Sequence, residues 1–338
     1  MAATLYREAI GHHSDGIAVR RTQVKWPWQI ESGSKKHLLG IEMGPGGVAF
    51  AQISYVGPGR YRLNRCEYIE EFEELKQQVH CLEWVAKNNC KGMSCNVSLH
   101  PNNYQLLLVE APDVAAEEVQ SAMKWRVKDL IDFPIDDAVM DAFSLPEDAY
   151  RGQMRMMYAA VAYKETAQRI VSIVNKCGLN LASIDIRELV IRNLLVKPST
   201  LDEPSQEGVG LITLRKANSL ISLVSANQLY LSRRVQLPVD HLEGNAYDTE
   251  RLLDDLVVEI HRSIDYYENQ LGKGMIHKLV FAPTVVPLTN TLKYLAEQVN
   301  SKISILDLEE SLEFAEPFEK EVQAQCLGAI GAAMRIML

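Results

Sequence analysis

The chain has 338 residues and a formal net charge of -9, from 35 lysines and arginines against 44 aspartates and glutamates. That acidic balance argues against a broad nucleic-acid face, which needs basic residues to displace counterions from phosphates, so nucleic acid is not an expected partner. With 47% hydrophobic and 23% charged residues the composition is that of a folded globular protein, and the length implies two or three closely packed domains.

No apolar run approaches the eighteen or so residues that cross a bilayer, and the first thirty residues lack the basic, apolar and small-residue order of a signal peptide. A cytoplasmic location is the expectation. The six cysteines (Cys66, Cys81, Cys90, Cys95, Cys177, Cys326) form no CxxC pair and meet no matching histidine pattern, so reduced thiols are expected and no metal site.

Residues 1–36 show no sustained period and carry Arg7, Arg20, Arg21, Lys25, Lys35 and Lys36 beside Trp26 and Trp28. They read as a basic leader, either loosely ordered or suited to an anionic surface. From Leu38 the pattern changes. Leu38–Met43 is a short apolar run, Gly44-Pro45-Gly46-Gly47 a turn, and Val48–Val56 a second strand. After Gly57-Pro58-Gly59, alternation through Tyr61, Leu63, Arg65, Glu67 and Ile69 gives a third strand, and a helix is expected over residues 72–87.

Strands at 94–99 and 105–109 follow. Pro112-Asp113 opens a predicted helix with Val119, Met123, Val127 and Leu130 as its apolar stripe. Then come strands at 138–143 and 154–162, a helix at 164–177 ended by Gly178, a strand at 181–186 and a helix to Leu195. Residues 197–207, rich in Pro, Ser and acid, form the best linker. Beyond it the opening order recurs: strands at 210–214, 220–224 and 229–235, then a helix over 250–271 closed by Gly272. Three meandering strands followed by helices and further strands, occurring twice, signify a duplicated α/β architecture.

Gripping a nucleotide between two such halves requires a tight, glycine-rich turn from each first hairpin and a carboxylate at the end of the first strand for a magnesium ion. Gly40-Ile41-Glu42-Met43-Gly44-Pro45-Gly46-Gly47 has that outline. It resembles the first phosphate motif of actin-fold proteins, and in particular the opening of the PilM family. Residues 117–143 (EEVQSAMKWRVKDLIDFPIDDAVMDAF) are similar to the PilM segment in which a tryptophan-bearing helix runs into a phenylalanine-proline step; residues 229–237, 259–267 (EIHRSIDYY) and 328–335 (GAIGAAMR) extend the likeness. Within that family the likeness is nearest to the MshI type of mannose-sensitive haemagglutinin (MSHA) pilus biogenesis.

The resemblance implies an α/β actin-like (ribonuclease H-like, duplicated) ATPase fold with a small subdomain inserted between the halves, of the PilM/FtsA type. Its expected division is a leader at 1–36, a first actin-like subdomain at 37–93, 164–200 and 320–338, an insert at 94–163, and a second half at 201–319. It also implies a vestigial nucleotide site at Glu42, Gly44, Gly46, Arg215, Glu259, Arg262, Gly328 and Gly331. For Glu259 and Arg262 a solvated helix face is the equal alternative. The motif departs from the family's at three loops: Glu42 and Pro45 replace an aspartate and a serine, Thr213-Leu214-Arg215 replaces Asp-aliphatic-Gly, and Ala282-Pro283 replaces a glycine pair. Pro45 has no N–H to offer, and losing one such donor costs roughly two to three orders of magnitude in rate. Turnover is therefore expected to be lost, with no cofactor, or at most residual ATP and magnesium; the alternative is a slow ATPase or a sugar kinase. Asp185 is a residual metal-side carboxylate or, preferably, a cap of the next helix.

The implied role is a scaffold on the cytoplasmic face of the inner membrane. It would hold the tail of a PilN-like protein, meet other pilus-machine components, and reach the membrane through that partner. Trp125, Ile131, Phe133 and Ile135 are the candidate lining; ordinary packing of the insert is the alternative, and the preferred one for Trp125.

Overall fold

Leu38–Glu42 is apolar nearly throughout, and a strand with that pattern must be covered on both faces. The computed structural model, which describes residues 37–57, 60–115, 117–149, 154–195, 206–216, 219–242 and 247–337, places it at the centre of a six-stranded sheet. The leader at 1–36 and nearly all of the linker at 197–207 lie outside the described residues.

Strands β1 (His37–Gly44), β2 (Gly47–Gly57) and β3 (Arg60–Glu70) form the expected antiparallel meander, with Gly44 opposite Gly47 at the hairpin. Helix α1 (Glu74–Lys87) follows, burying Gln77, Cys81, Trp84 and Val85. Trp84 stacks on Phe50 with ring centroids 4.4 Å apart and donates its indole N–H to Glu67 at 2.7 Å. Strand β4 (Ser94–Leu99) then runs parallel to β1 on its other side. This corrects the expectation that the insert begins at residue 94: β4 is buried along its whole length because it lies inside the first sheet.

The insert proper is a three-stranded antiparallel sheet of β5 (Tyr104–Glu110), β6 (Ala138–Ser144) and β7 (Met156–Tyr163), ordered β5-β7-β6. Helix α2 (Val119–Val127) covers one face with Met123 and Val127, making a small core with Met140, Ala159 and Val161. The helix starts seven residues after Pro112, not at it, and its apolar stripe stops short of Leu130, which is 52% exposed. Helix α3 (Lys164–Lys176) returns the chain to β8 (Asn180–Ile186), parallel to β4, and α4 (Arg187–Asn193).

The second half repeats the plan. Strands β9 (Val209–Thr213), β10 (Ser219–Ser225) and β11 (Gln228–Val235) meander. Helix α5 (Tyr247–Asp265) leads through a π turn at Tyr266–Gln270 to Gly272, whose φ of 59° supplies the stop. Then β12 (Lys278–Phe281), α6 (Thr289–Gln298) and β13 (Lys302–Ile305) complete a sheet ordered β11-β10-β9-β12-β13. The first sheet reads β3-β2-β1-β4-β8, so the two halves share one strand order and the duplication is structural. A short β14 (Glu313–Phe314) adds to the β3 edge of the first sheet, although residues up to 319 were expected in the second half.

The chain ends in α7 (Lys320–Gln325) and α8 (Leu327–Ala333), with every residue of α8 buried. A Cβ on Gly40 would lie 1.8 Å from the Ala329 carbonyl, and one on Gly331 would lie 2.3 Å from the Val190 carbonyl. Glycine at both positions lets α8 lie directly on β1 and on α4. All six cysteines are free thiols, five of them buried, as expected.

Candidate functional site: a carboxylate held by two arginines

Parallel pairing sets Glu42 of β1 beside Ser98 of β4, and Ser98 beside Asp185 of β8, at the carboxyl end of the first sheet. In open α/β sheets this end is where ligands bind. Glu42 is 5% exposed, and an ionised carboxylate cannot stay so deep without partners.

It has two. Arg187 Nη1, from the first turn of α4, donates to Glu42 Oε1, and Arg215 Nη1, from the end of β9 in the other half, lies 3.8 Å from the same oxygen. Burial alone would raise the Glu42 pKa; the Arg187 and Arg215 charges, with that hydrogen bond, outweigh it and hold the carboxyl below its usual range. Arg215 is itself pulled down to about 10, first by the charge of Arg187 and then by burial, and remains charged at neutral pH. His100, just after β4, is pushed down to about 4 by burial and by the Arg215, Arg187 and Arg234 charges, against the pull of Glu42, so it is neutral here.

The turns around this carboxylate are occupied by the protein's own groups. Gly44 gives its carbonyl to Gln77 at 2.7 Å, and a Cβ on it would lie 2.7 Å from the His100 ring. Pro45 has no N–H, the Gly46 carbonyl accepts from Glu71 N at 3.1 Å, and the Tyr68 hydroxyl is 3.1 Å from a Gly46 Cβ. In the second turn the Arg215 N–H, the group that would face a phosphate, donates to Ser219 Oγ at 3.0 Å. The space beside Gly328 is taken by the Glu42 carboxylate, whose Oε2 would be 2.0 Å from a Cβ there.

A second layer joins the insert to both halves. The Tyr104 hydroxyl donates to Glu188 Oε2 and accepts from Arg187 N at 3.1 Å. Arg234 of β11 donates to the Tyr104 carbonyl at 3.2 Å, stacks 4.7 Å above its ring, and lies 3.7 Å from Glu188 Oε1. Burial raises the Glu188 pKa, with Tyr104 and Arg234 opposing. Asp185 accepts from Ile186 N at 2.9 Å and pairs with Arg335 of the C-terminal segment; it does not cap α4, whose N-cap, Ile186, has no side-chain bond.

Glu42, Gly44, Gly46, Arg215 and Gly328 thus come together, whereas Gly331 serves the crossing of α8 over α4. Glu259, 24% exposed, spends its carboxylate on Arg233 at 3.2 Å and on Arg262 at 2.8 Å, with Arg262 63% exposed. Arg187, His100, Tyr104, Glu188 and Arg234 escaped the sequence reading. Their one sequence signal is the charged Arg187-Glu188 step directly after an apolar strand. In the insert, Ile131, Phe133 and Ile135 are half-buried against its core, and Phe133 stacks on Tyr163 at 3.9 Å. Trp125 is 71% exposed, beneath Lys128 at 4.6 Å, which overturns the preferred expectation that it is packed.

Magnesium and a triphosphate do not fit this arrangement. The carboxylate at the strand end is neutralised by two guanidiniums, Pro45 of the first turn has no N–H, and the Arg215 N–H of the second is spent on Ser219 Oγ. Ser98 Oγ and Thr213 Oγ1 are buried without a protein partner, but two hydroxyls alone, with the Glu42 carboxylate already paired, bring a divalent ion no charge. Among the described residues no cluster of three or more His, Cys, Asp or Glu could hold a metal. A cavity of about 320 Å³ lined by Asp148, Gly208, Tyr267, Lys273 and His277 includes none of the Glu42 cluster. No described helix is long and apolar enough to cross a membrane.

No model of a known protein family matches the sequence, and no curated protein matches it. Among solved structures, one described as a PilM-PilN type IV pilus biogenesis complex superposes with a TM-score of 0.70 at 17% identity, covering 89% of this chain and 98% of that one. The cytoplasmic domain of EpsL, an inner-membrane component of the type II secretion system of Vibrio cholerae, gives 0.48 at 11% identity over 86% and 92% of the two chains. A Bacteroides thetaiotaomicron protein described as having an actin-like ATPase fold gives 0.48 at 9% over 83% and 93%. At such identities the likeness is one of architecture, and with the duplicated strand order it establishes that this chain has the actin-like fold, with a small sheet inserted in its first half.

Proposed function

We propose that the chain is a non-catalytic assembly scaffold of the PilM kind, part of a type IV pilus machine, which binds the cytoplasmic tail of a PilN-like inner-membrane protein and sits at the membrane through that partner. The observation that carries the non-catalytic part is the clasp on Glu42. Arg187 and Arg215 supply, from within the chain, the positive charge that magnesium would bring, while Pro45 has no N–H to offer a phosphate and the Arg215 N–H is spent on Ser219. The overlay on the PilM-PilN complex structure supports the pilus assignment. Within that class we place the chain in an MSHA-type machine, as its MshI-like component in contact with further machine components, and we divide it into leader, first actin-like subdomain, insert and second half, with the insert starting after β4.

The tail would lie on the insert. Trp125 is a large, rigid, exposed anchor, and the Phe133–Tyr163 stack offers a second aromatic surface with Tyr163 48% exposed. Calorimetry with a synthetic PilN-like tail is expected to show saturable binding, weakened at least tenfold by Trp125→Ala, or about 1.4 kcal/mol. Since Trp125 is largely exposed, that variant folds normally. Absence of binding to every PilN-like tail sinks the partner reading. Micromolar Mg-ATP binding with phosphate release would instead establish the slow ATPase.

A further inference from the structure

The basic leader has no role in the function proposed above, and the surface of the first half carries a feature that matches it. Between β3 and α1 the chain reads Glu70-Glu71-Phe72-Glu73-Glu74-Leu75. Phe72 is 70% exposed, Leu75 81% and Val79 48%. Helix α1 turns Gln77, Cys81, Trp84 and Val85 to the core, and positions 75 and 79 fall on the opposite side, with 72 one turn before them. Three large apolar side chains exposed within eight residues, on or just before a helix whose inner face is already packed, are apolar surface open to contact.

Its rim is acidic. Glu70, Glu73 and Glu74 are exposed and Glu71 partly so. Lys76 reaches Glu73 at 2.8 Å, Arg169 pairs with Glu74, and His80 lies 3.6 Å from Glu71 and 3.7 Å from Glu83. Such exposed pairs are weak and exchange readily for better-placed cations.

The complement lies in the same chain: Arg20, Arg21 and Lys25 immediately precede Trp26 and Trp28. Residues 1–36 hold six Lys or Arg and three Asp or Glu, a net of +3, so with the whole chain at -9 the remainder is at -12. Reach is sufficient. His37 begins β1 at the end away from the Gly44–Gly47 turn, and Gly47 pairs with Glu70, so the span is one eight-residue strand, roughly 25 Å. The nine residues from Trp28 to His37 cover roughly 30 Å extended. We propose that the basic Trp-bearing segment Arg20–Trp28 of this chain docks on the Phe72–Leu75–Val79 face, its cations against Glu70–Glu74 and its indoles on Phe72 and Leu75.

Zero-length carbodiimide cross-linking of the full chain, read by peptide mass spectrometry, tests this. Lys25 is expected to link to a carboxylate within 70–74, and that link is expected to be lost in Phe72→Ser/Glu73→Lys, both positions being exposed. The Lys216–Asp240 pair, 3.4 Å apart, serves as the internal control and persists. The double variant, with its arm released, is expected to sediment more strongly with phosphatidylglycerol vesicles than the native chain. Three results overturn the proposal: a control link without any link from Lys25 to 70–74, a link joining isotopically heavy to light copies, or equal vesicle binding by the two proteins.

Discussion

A carboxylate as buried as Glu42 holds its charge only while Arg187 and Arg215 face it, and breaking such a pair costs about 3–5 kcal/mol because an uncompensated charge stays behind. Arg187→Gln is therefore expected to lose that much in urea unfolding, and Glu42→Leu/Arg187→Met, which removes both charges, to recover most of it. The pH dependence follows from the shifts. The His100 pKa is depressed to about 4 in the folded chain, so the unfolded chain takes up a proton first and stability falls as pH drops from 6.5 towards 4. Glu42, also depressed, contributes stability that is present above the unfolded carboxyl value and lost as pH falls through its lower folded one. Melting temperature measured against pH should decline over both windows, and His100→Gln should flatten the upper one alone. At this scale Glu42, Pro45 and Arg215 could be picked out in the sequence because they stand in a motif. Arg187 and His100 could not, because what recruits them is the fold's convergence of β1, β4 and α4 on one carboxylate.

At the scale of elements, apolar runs and turn residues located the meanders, since a strand buried on both faces has few other ways to read. Helix α2 is shorter than its sequence suggests because Glu117 and Glu118 suit a first helical turn whether or not one forms there, and the helix begins where Val119, Met123 and Val127 find a core to face. Glycines show the same limit. Gly40→Ala is expected to cost more than about 3 kcal/mol in chemical unfolding, or to prevent folding, because the new methyl meets backbone of α8 and not a movable side chain. Gly57→Ala, with nothing within 4 Å of the added carbon, should stay within about 0.5 kcal/mol. Nothing local in the sequence separates these two glycines; a helix almost three hundred residues further on does.

For the molecule as a whole, Arg215 is where the second half touches the buried carboxylate of the first. Arg215→Gly restores the small residue that the family motif carries, yet it is expected to leave Mg-ATP unbound in calorimetry. Pro45 still lacks an N–H and Arg187 still holds Glu42. A clear binding isotherm for that variant would show that Arg215 alone closes the site and would revise the scaffold proposal. By itself the sequence determined the duplicated α/β plan and the acidic balance of charge, because strand and turn chemistry are local and charge is additive. Only the tertiary structure decided who partners Glu42, where the insert begins, that Trp125 faces solvent and that α8 rests on Gly40. Each of these depends on residues far apart in the chain meeting at a few ångströms, which no local pattern encodes.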